Sequence, residues 1–406
     1  MLAAGGFVGL KYGAAVGALL LGGAPGAVGT PKVTGPRATS DERPVYRFRA
    51  AHAVGFRCAF DTRALHWCAS RYSERLAPGA HVLRVRALGR KGAVSRIVSV
   101  RVSVTVPYPA LAAGRPIEVG AGAGVPAAGA GSVWVPLTDS GELARVDSTA
   151  GTVTAKLHAG QGAAGRAGFL DAAVVTAGWV WQASDAGGTI ARVDAASGAV
   201  ANTFSVGNRP GGLTVGDGSV WAFSFLGPDA TQIDAATGTV RRVRVEGVSA
   251  TGIAYGAGSL WLLSTGPSRI VKIDPRSGAV LATYELHPPY AAAYALIENW
   301  WLAFGDGAVW ATLPNYGAVA RLDVATGALL YARTPYGRPF GVAAGGGSAW
   351  VATDHGVLRL DATTGKPTGV ALLPTANRSG FASITYGDGA AWFTNYDRGT
   401  LTRVAP

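Results

Sequence analysis

Charged residues, cysteine and histidine are all scarce in this chain of 406 residues. Only 15% of the residues are charged while 49% are hydrophobic, which excludes an intrinsically disordered polymer. The only two cysteines, Cys58 and Cys68, have His66 nearby but no evident fourth ligand, so a structural zinc site is excluded. What is abundant is glycine, at 59 residues, together with 11 Trp and many Val. That composition is typical of short strands joined by tight turns.

Residues 1–30 are predicted to be an export segment. Tyr12–Gly29 is apolar or small, and small residues at its end offer signal-peptide cleavage sites. Because its length approaches the roughly 20 residues that span a bilayer, an uncleaved membrane anchor is the alternative. We therefore expect a secreted, cell-surface or cell-envelope protein. In such a compartment Cys58 and Cys68 are predicted to form a disulfide.

The positive charge of the chain is concentrated in residues 31–106, which hold 15 Lys and Arg against 4 Asp and Glu. Residues 107–406 hold 20 of each sign. The basic segment favours an anionic partner surface such as cell-envelope polymers or lipid headgroups. The alternative is a solvated, arginine-rich strand surface. No nucleic acid is expected, because no recognition motif is present.

Residues 31–106 alternate apolar and polar residues in VYRFRA, GFRCAF, HVLRVRAL and SRIVSVRVSV, as half-buried strands do. The stretch LAPGAHVLRVRALGRKG resembles bacterial Ig-like modules with the pattern LxxGxHxxxVRAxDxxGN. Gly89 and Lys91 replace the usual Asp and Asn of the later turn. The resemblance implies an Ig-like β-sandwich, in which His81 is expected to pack at the start of a strand.

A tetrapeptide of Gly, a small or aromatic residue, an apolar residue and Trp recurs along the rest of the chain. Its spacings are 47, 40, 40, 49, 40 and 42 residues, which match a blade of four strands in a β-propeller. The seven copies predict seven blades. Their tryptophans are Trp134, Trp181, Trp221, Trp261, Trp310, Trp350 and Trp392.

Each copy has the same internal order of strand, turn, Trp-bearing strand, third strand ending in Asp, turn and fourth strand. We expect the recurring Asp to bond backbone N–H groups in its own turn, and the following Gly to supply a positive φ. The tryptophans are expected to pack between neighbouring sheets. The turn residues are Asp147, Asp194, Asp234, Asp274, Asp323 and Asp361.

The last copy supplies only three strands and ends where a fourth would begin. The segment PIEVG, residues 116–120, resembles a fourth strand such as TFSVG. It is predicted to complete the C-terminal blade and so remove the open edges of the ring. The predicted fold is therefore all-β: an Ig-like β-sandwich over residues 31–106 and a seven-bladed β-propeller over residues 107–406.

The repeats resemble the YVTN/NHL-type propellers, and YGDGAAWFTNYDRGTLTRV resembles the streptogramin (virginiamycin B) lyase branch. The wider family implies binding of proteins, peptides or glycans, whereas the lyase eliminates across an ester with histidine, glutamate and magnesium. Where the lyase repeats carry PHGI, this chain has PGGL, ATGI and PFGV, without histidine. We therefore predict a non-catalytic protein with no cofactor or metal, and a metal-dependent C–O lyase as the alternative. The remaining propeller histidines are His158, His287 and His355.

A ligand is expected on the face where the links between blades meet the turns between second and third strands, since function concentrates in loops. Arginines and aromatics there suit an acidic, sugar-like or peptide ligand. A binding or scaffold protein is thus the predicted class, with a purely structural wall protein as a further alternative. The predicted ligand-binding residues are Arg166, Arg209, His287, Tyr290, Tyr294, Glu298, Tyr316, Arg338, Asp354, His355, Arg378, Asn395 and Tyr396.

Overall fold

The computed structural model is all-β over the residues that it describes, with two short 3-10 turns, Arg90–Gly92 and Pro314–Tyr316. Within those residues, no helix is long and apolar enough to cross a membrane. The chain divides into two compact units between Thr105 and Val106. Most of the predicted export segment lies outside the described residues, which are 27–162, 171–207, 209–225, 227–265, 268–290, 301–335, 337–373 and 381–406.

The first unit consists of two β-sheets. One has three strands in the order β1-β3-β6, and the other has five in the order β2-β8-β7-β4-β5. All neighbouring strands are antiparallel except β2 and β8, which pair in parallel. The strands are β1 Lys32–Thr34, β2 Ala38–Thr39, β3 Val45–Arg49, β4 Gly55–Phe60, β5 His66–Cys68, β6 Arg71–Ser73, β7 Gly79–Leu88 and β8 Val98–Val104.

Aromatic side chains fill the space between these two sheets. The rings of Tyr46 and Phe60 lie 5.8 Å apart, and those of Phe48 and Phe56 lie 5.5 Å apart. In each pair one ring comes from β3 and the other from β4, so the sheets pack face to face. The alternation of VYRFR, with its tyrosine and phenylalanine buried and its arginines exposed, produces this core directly.

The predicted disulfide between Cys58 and Cys68 is present and joins β4 to β5 within the five-stranded sheet. His81, on β7, has a nearly buried ring whose Nδ1 lies 2.9 Å from Asp61 Oδ2. Its Nε2 lies 2.7 Å from the Ala77 carbonyl oxygen. The imidazole therefore packs near the start of its strand, as predicted.

The second unit contains, among the described residues, seven antiparallel sheets of four strands. Sheets 1 to 6 each use four consecutive strands, in chain order. We number them from the N-terminus. Sheet 1 is β10 Ala127–Gly129, β11 Ser132–Leu137, β12 Glu142–Asp147 and β13 Val153–His158; sheet 2 is β14 Ala173–Thr176, β15 Trp179–Ser184, β16 Thr189–Asp194 and β17 Val200–Ser205; sheet 3 is β18 Pro210–Gly216, β19 Ser219–Ser224, β20 Asp229–Asp234 and β21 Val240–Arg244.

The later sheets repeat this arrangement, except that sheet 7 takes its outermost strand from the start of the unit, β9 Ile117–Glu118. Sheet 4 is β22 Ala250–Gly256, β23 Ser259–Thr265, β24 Ser268–Ile273 and β25 Val280–Glu285; sheet 5 is β26 Leu302–Gly305, β27 Ala308–Leu313, β28 Ala318–Asp323 and β29 Leu329–Arg333; sheet 6 is β30 Pro339–Gly345, β31 Ser348–Thr353, β32 Gly356–Asp361 and β33 Pro367–Leu372; sheet 7 is completed by β34 Ala382–Gly387, β35 Ala390–Asn395 and β36 Thr400–Val404.

The seven repeat tryptophans are buried in the second strands of the sheets, each at most 1% exposed. They pack between neighbouring sheets: Trp261 of sheet 4 belongs to a core cluster with Val309 and Leu313 of sheet 5. Trp221 of sheet 3 packs likewise with Leu260 of sheet 4. The predicted packing role of the tryptophans is confirmed. Burial of each aliphatic side chain that packs with them, such as Leu260, contributes about 1.5–3 kcal/mol.

The recurring aspartates cap the turns between third and fourth strands. Asp234 Oδ1 accepts hydrogen bonds from the N–H groups of Ala236 and Thr237, at 3.0 and 2.7 Å. Gly238, which follows, has a φ of 75°, a conformation that favours glycine. Asp147, Asp194, Asp274, Asp323 and Asp361 bond their own turns in the same way, as predicted.

Residues near Ile117 complete the last sheet, as predicted. Ile117 pairs with Leu401 and Glu118 with Thr400 in an antiparallel ladder. The first strands of the seven sheets contact one another in cyclic order, and β34 of sheet 7 contacts β10 of sheet 1. Thr394 also donates a hydrogen bond of 2.8 Å to the Gly124 carbonyl, across the same junction.

The first residues of the second unit cover two outer sheet edges. Ala110 forms a parallel bridge with Val370 on β33, and Gly114 N–H bonds the Arg403 carbonyl oxygen at 2.8 Å. An uncovered edge strand presents unpaired N–H and C=O groups to other chains. The segment therefore covers the outer edge of β33 in sheet 6 and the part of β36 in sheet 7 that β9 leaves unpaired.

We expect replacement of Leu263, which is 0% exposed on β23, by alanine to destabilise the second unit by about 2–5 kcal/mol, because a cavity would open between sheets. The matched control is Leu281→Ala on β25 of the same sheet, where leucine is 54% exposed. That change is expected to cost no more than about 0.5 kcal/mol. Denaturant unfolding measures both, and equal losses would contradict the assignment of the core.

Candidate functional site

The links between sheets and the turns between second and third strands lie together at one end of the second unit. Backbone hydrogen bonds join them: Val206 N–H to the Gly188 oxygen at 3.0 Å, and Thr334 N–H to the Gly317 oxygen at 2.8 Å. We call this end the loop face. The aspartate turns between third and fourth strands occupy the opposite end, which we call the turn face.

Nine of the predicted ligand-binding residues are described, and all nine belong to loop-face segments or the strand ends beside them. Arg166, Tyr294, Glu298 and Arg378 lie outside the described residues. The described residues are Arg209, His287, Tyr290, Tyr316, Arg338, Asp354, His355, Asn395 and Tyr396.

Arg338, Asp354 and His355 form one hydrogen-bonded group on sheet 6. The Arg338 Nε donates to Asp354 Oδ2 at 3.0 Å and its backbone N–H to Oδ1 at 2.8 Å. His355 Nδ1 lies 2.8 Å from Asp354 Oδ1. Burial by itself would raise the pKa of the Asp354 carboxyl, but His355 and Arg338 outweigh it and hold that pKa below its usual value.

An ionised Asp354 only accepts hydrogen bonds, so it favours the tautomer of neutral His355 that carries its proton on Nδ1. The Nε2 atom is then the basic nitrogen of the ring. The guanidinium of Arg338 also lies over the ring of Phe340, 5.3 Å from its centroid. The group thus combines a cation, a held imidazole and an aromatic face, which can recognise an anionic group or move a proton.

Arg209 links sheets 2 and 3 at the same face. Its Nε lies 3.3 Å from Asp185 Oδ1, in the turn of sheet 2, and its guanidinium lies 5.5 Å from the ring centroid of Phe225, in sheet 3. Arg209 has a φ of 53°, which is uncommon for a residue other than glycine. Its side chain is therefore held in position by both neighbours.

His287, Tyr290 and Tyr316 are attached to the core of sheet 5. The Tyr331 hydroxyl accepts the His287 N–H at 2.9 Å, and the Tyr290 hydroxyl donates to the Tyr331 carbonyl at 3.2 Å. Tyr290 and Tyr316 pack against the same apolar cluster. Arg333 lies over the ring of Tyr290, 4.8 Å from its centroid, and is the third guanidinium held against an aromatic ring on this face.

Tyr396 joins sheet 7 to sheet 1. Its hydroxyl donates to Asp139 Oδ1 at 2.7 Å. Burial and this bond raise the pKa of Tyr396, and the charges of Asp139, Asp397 and Asp171 raise it further. Carboxylates therefore gather around the phenol at this junction. Asn395 is buried, and its Oδ1 accepts the Arg398 N–H at 3.0 Å, which shapes the turn.

The sequence reasoning missed two buried polar residues of sheet 2, Asp171 and Gln182. Burial raises the pKa of Asp171 to about 7; the backbone N–H of Asp185 opposes that shift, and the charge of the same residue adds to it. Asp171 Oδ1 accepts this N–H at 2.9 Å. Both residues depart from the apolar pattern of the repeats, which was the available signal.

A cavity of about 230 Å³ lies among the first strands of the seven sheets. Its lining residues include apolar ones such as Leu213, Ile253 and Ile384, together with the hydroxyl-bearing residues Thr214 and Ser383. No carboxylate, imidazole or lysine occurs among its described lining residues. Across the described part of the chain, no group of three or more His, Cys, Asp or Glu is arranged to hold a metal ion.

No known family signature matches this chain, and no curated protein matches it in sequence. Among solved structures, hydrazine synthase from Kuenenia stuttgartiensis matches with a TM-score of 0.55 and 14% identity, over 70% of this chain and 96% of that one. The Cps50 (Swd1) β-propeller domain from Myceliophteria thermophila matches with 0.56 and 13%, over 74% and 100%. The second unit is a β-propeller. At these identities the likeness shows the fold alone.

Asp171 is expected to make the propeller less stable as pH rises. Its pKa is about 7 when folded and near 3.8 when unfolded, so the folded state binds the proton more tightly. Stability is then fully present below about pH 4 and is lost through pH 7, at up to about 1.4 kcal/mol per pH unit. Denaturant unfolding at several pH values checks this.

Asp171→Asn is the control for that titration, because the amide does not ionise. Its stability relative to the wild type should increase from pH 4 to pH 7 and then level off. Parallel pH profiles of the two proteins would contradict the raised pKa.

Proposed function

We propose that this chain is an exported or cell-surface binding protein, in which an Ig-like module precedes a closed, seven-bladed propeller of the YVTN/NHL type. The loop face of the propeller binds a peptide, protein or glycan, and does so without catalysis. The observation that carries the proposal is the set of arginines held against aromatic rings on that face.

Three guanidinium groups there are fixed by their surroundings: Arg209 over Phe225, Arg338 over Phe340, and Arg333 over Tyr290. A stacked guanidinium loses less conformational freedom when it binds a carboxylate or a polar sugar group. Adjacent aromatic rings offer apolar contact to the same ligand. Such pairs therefore support recognition of an acidic or sugar-like group.

The central cavity supports binding rather than chemistry at the propeller axis. General acid–base catalysis requires an ionisable group within hydrogen-bond reach of the reacting atoms. The described residues around the cavity are apolar, glycine or hydroxyl-bearing. On the loop face, Arg209 pairs with Asp185, and Arg338 and His355 pair with Asp354.

The strand order of the first unit supports the Ig-like proposal. Ig domains pack two antiparallel sheets face to face, with strands A, B, E and D in one sheet and C, F and G in the other. Here β1-β3-β6 faces β2-β8-β7-β4-β5, with the parallel pair at one edge. The disulfide lies within one sheet, which differs from the inter-sheet bridge of antibody domains.

One face of the five-stranded sheet supports an anionic partner. Arg57 on β4 lies directly opposite Arg86 on β7, and Arg84 and Arg101 share this face by strand alternation. Like charges directly opposite each other destabilise a sheet unless a counter-charge is present. Trp67, 64% exposed, pairs with Arg57 from the neighbouring strand β5 and shares this face. We infer contact with an anionic cell-envelope surface.

Screening of peptide and glycan libraries tests the loop-face proposal. Arg338→Ala and Arg209→Ala are each expected to lower the affinity for the ligand about tenfold or more, since each removes a fixed guanidinium. Arg276→Ala is the matched control, because Arg276 is exposed on the turn face. A ligand whose affinity falls equally in all three variants would place the site elsewhere.

Binding to vesicles tests the anionic partner. Replacement of Arg57 and Arg86 by serine is expected to weaken binding to anionic vesicles by about 2 kcal/mol, roughly 30-fold. The control replaces Arg276 and Arg398 of the propeller, which removes the same charge. Equal binding to zwitterionic vesicles, or equal losses in both double variants, would show that this face is only a solvated surface.

A C–O lyase is the second candidate, and the His355–Asp354 pair is the observation that favours it. An imidazole held by a carboxylate is a competent general base. Incubation with a streptogramin-type cyclic ester and magnesium is expected to leave the ester intact. Ring opening that His355→Ala abolishes would replace the binding proposal with the enzymatic one.

A further inference from the structure

Sheet 2 departs from the propeller repeat at two buried positions. The first is the residue that follows the repeat tryptophan. In sheet 2 this residue is Gln182, whereas all six other sheets have an apolar residue there. Those residues are Val135, Ala222, Leu262, Ala311, Val351 and Phe393.

The second position lies on the first strand, opposite the third residue after the tryptophan. Ala173 pairs with Gln182, so Asp171, two residues earlier, lies opposite Ser184. The five other sheets whose residue at this position is described have Ala or Pro there. These residues are Ala123, Pro210, Ala250, Pro339 and Ala382.

Both side chains are fully buried and incompletely hydrogen-bonded. Asp171 is 1% exposed and Gln182 is 0% exposed. Asp171 Oδ2 and both amide atoms of Gln182 have no hydrogen-bond partner among the described residues. Buried polar atoms without partners destabilise a fold, and an apolar residue would avoid that loss. Buried polar residues that break the apolar pattern of a repeat are expected at sites that bind a ligand.

The two side chains share one face of sheet 2. Diagonal neighbours on an antiparallel pair lie about 7–8 Å apart, within reach of a single small ligand. Val180, on the same face of β15, packs against Trp134 and Leu143 of sheet 1. The polar atoms therefore lie between sheets 1 and 2. The Gln182 amide packs against Gly160, where a Cβ would lie only 3.1 Å from its Nε2.

The surroundings of this space are acidic. Asp185 lies next to the Asp171 carboxylate and pairs with Arg209. Asp139, Asp397 and Asp171 all act on Tyr396 at the adjoining junction. A carboxylate oxygen and an amide oxygen are the ligands that hard cations prefer.

We propose that the space between sheets 1 and 2 binds one monovalent cation, with Asp171 Oδ2 and Gln182 Oε1 as ligands. A single free carboxylate oxygen with a neutral oxygen matches a single positive charge. The chemistry is shared by an alkali metal ion and by ammonium. Cation binding at this site does not depend on the loop-face ligand, and the test uses no such ligand.

Thermal unfolding of the full chain in chlorides of equal ionic strength tests the site. Sodium, potassium or ammonium chloride is expected to raise the melting temperature by about 2–4 °C at ten times the dissociation constant, relative to tetramethylammonium chloride. The order of the three ions distinguishes an alkali metal from ammonium. Equal melting temperatures in all four salts would leave an internal water as the only occupant and overturn the proposal.

Asp171→Ala and Gln182→Leu locate the effect, because they introduce the residues that sheet 4 has at the same positions, Ala250 and Leu262. Both variants are expected to melt higher than the wild type in tetramethylammonium chloride and to lose the response to small cations. Glu246→Gln, which removes an exposed loop-face carboxylate, should keep it. A response that persists in both site variants would overturn the proposal.

Discussion

Burial of one sheet against the next is the interaction on which the propeller depends. A single sheet of four strands cannot cover its own apolar faces, so each repeat tryptophan is buried only because a neighbouring sheet lies over it. The arrangement is stable when the first and last sheets also meet. The contact of β34 with β10 supplies that meeting at the inner edge, and strand β9 completes sheet 7 at its outer edge.

The same packing constraint determines which positions can carry functional side chains. Strand positions between sheets are occupied by tryptophan, valine and alanine, and the turn face is shaped by aspartates that bond their own backbone. The loop face is less constrained in sequence, yet its segments are tied by backbone hydrogen bonds to adjacent turns. Side chains such as Arg338 and Arg209 are therefore positioned by the frame while differing from sheet to sheet.

In sheet 2, two buried polar residues replace apolar ones at a cost in stability. Its neighbours have apolar residues at the positions of Asp171 and Gln182, and the same backbone holds both kinds of residue. An occupied cation site would satisfy the polar atoms that the fold leaves unpaired. Because Asp171 lies beside the link to sheet 3 through Asp185 and Arg209, occupancy would also stiffen part of the loop face.

The sequence by itself determined the order of strands and turns in each repeat and the turn role of Asp234 and its equivalents, because short-range sterics and hydrogen bonding specify them. The strand at Ile117 and the disulfide could also be predicted, from the repeat spacing and the spacing of the cysteines. Only the tertiary structure decided which loop residues meet. Tyr396 of sheet 7 reaches Asp139 of sheet 1 across 257 positions of sequence. Within sheet 6, Arg338 and His355 both bond the carboxylate of Asp354. Such contacts arise when strands and sheets are brought side by side, and no local pattern encodes the distance between the side chains that meet.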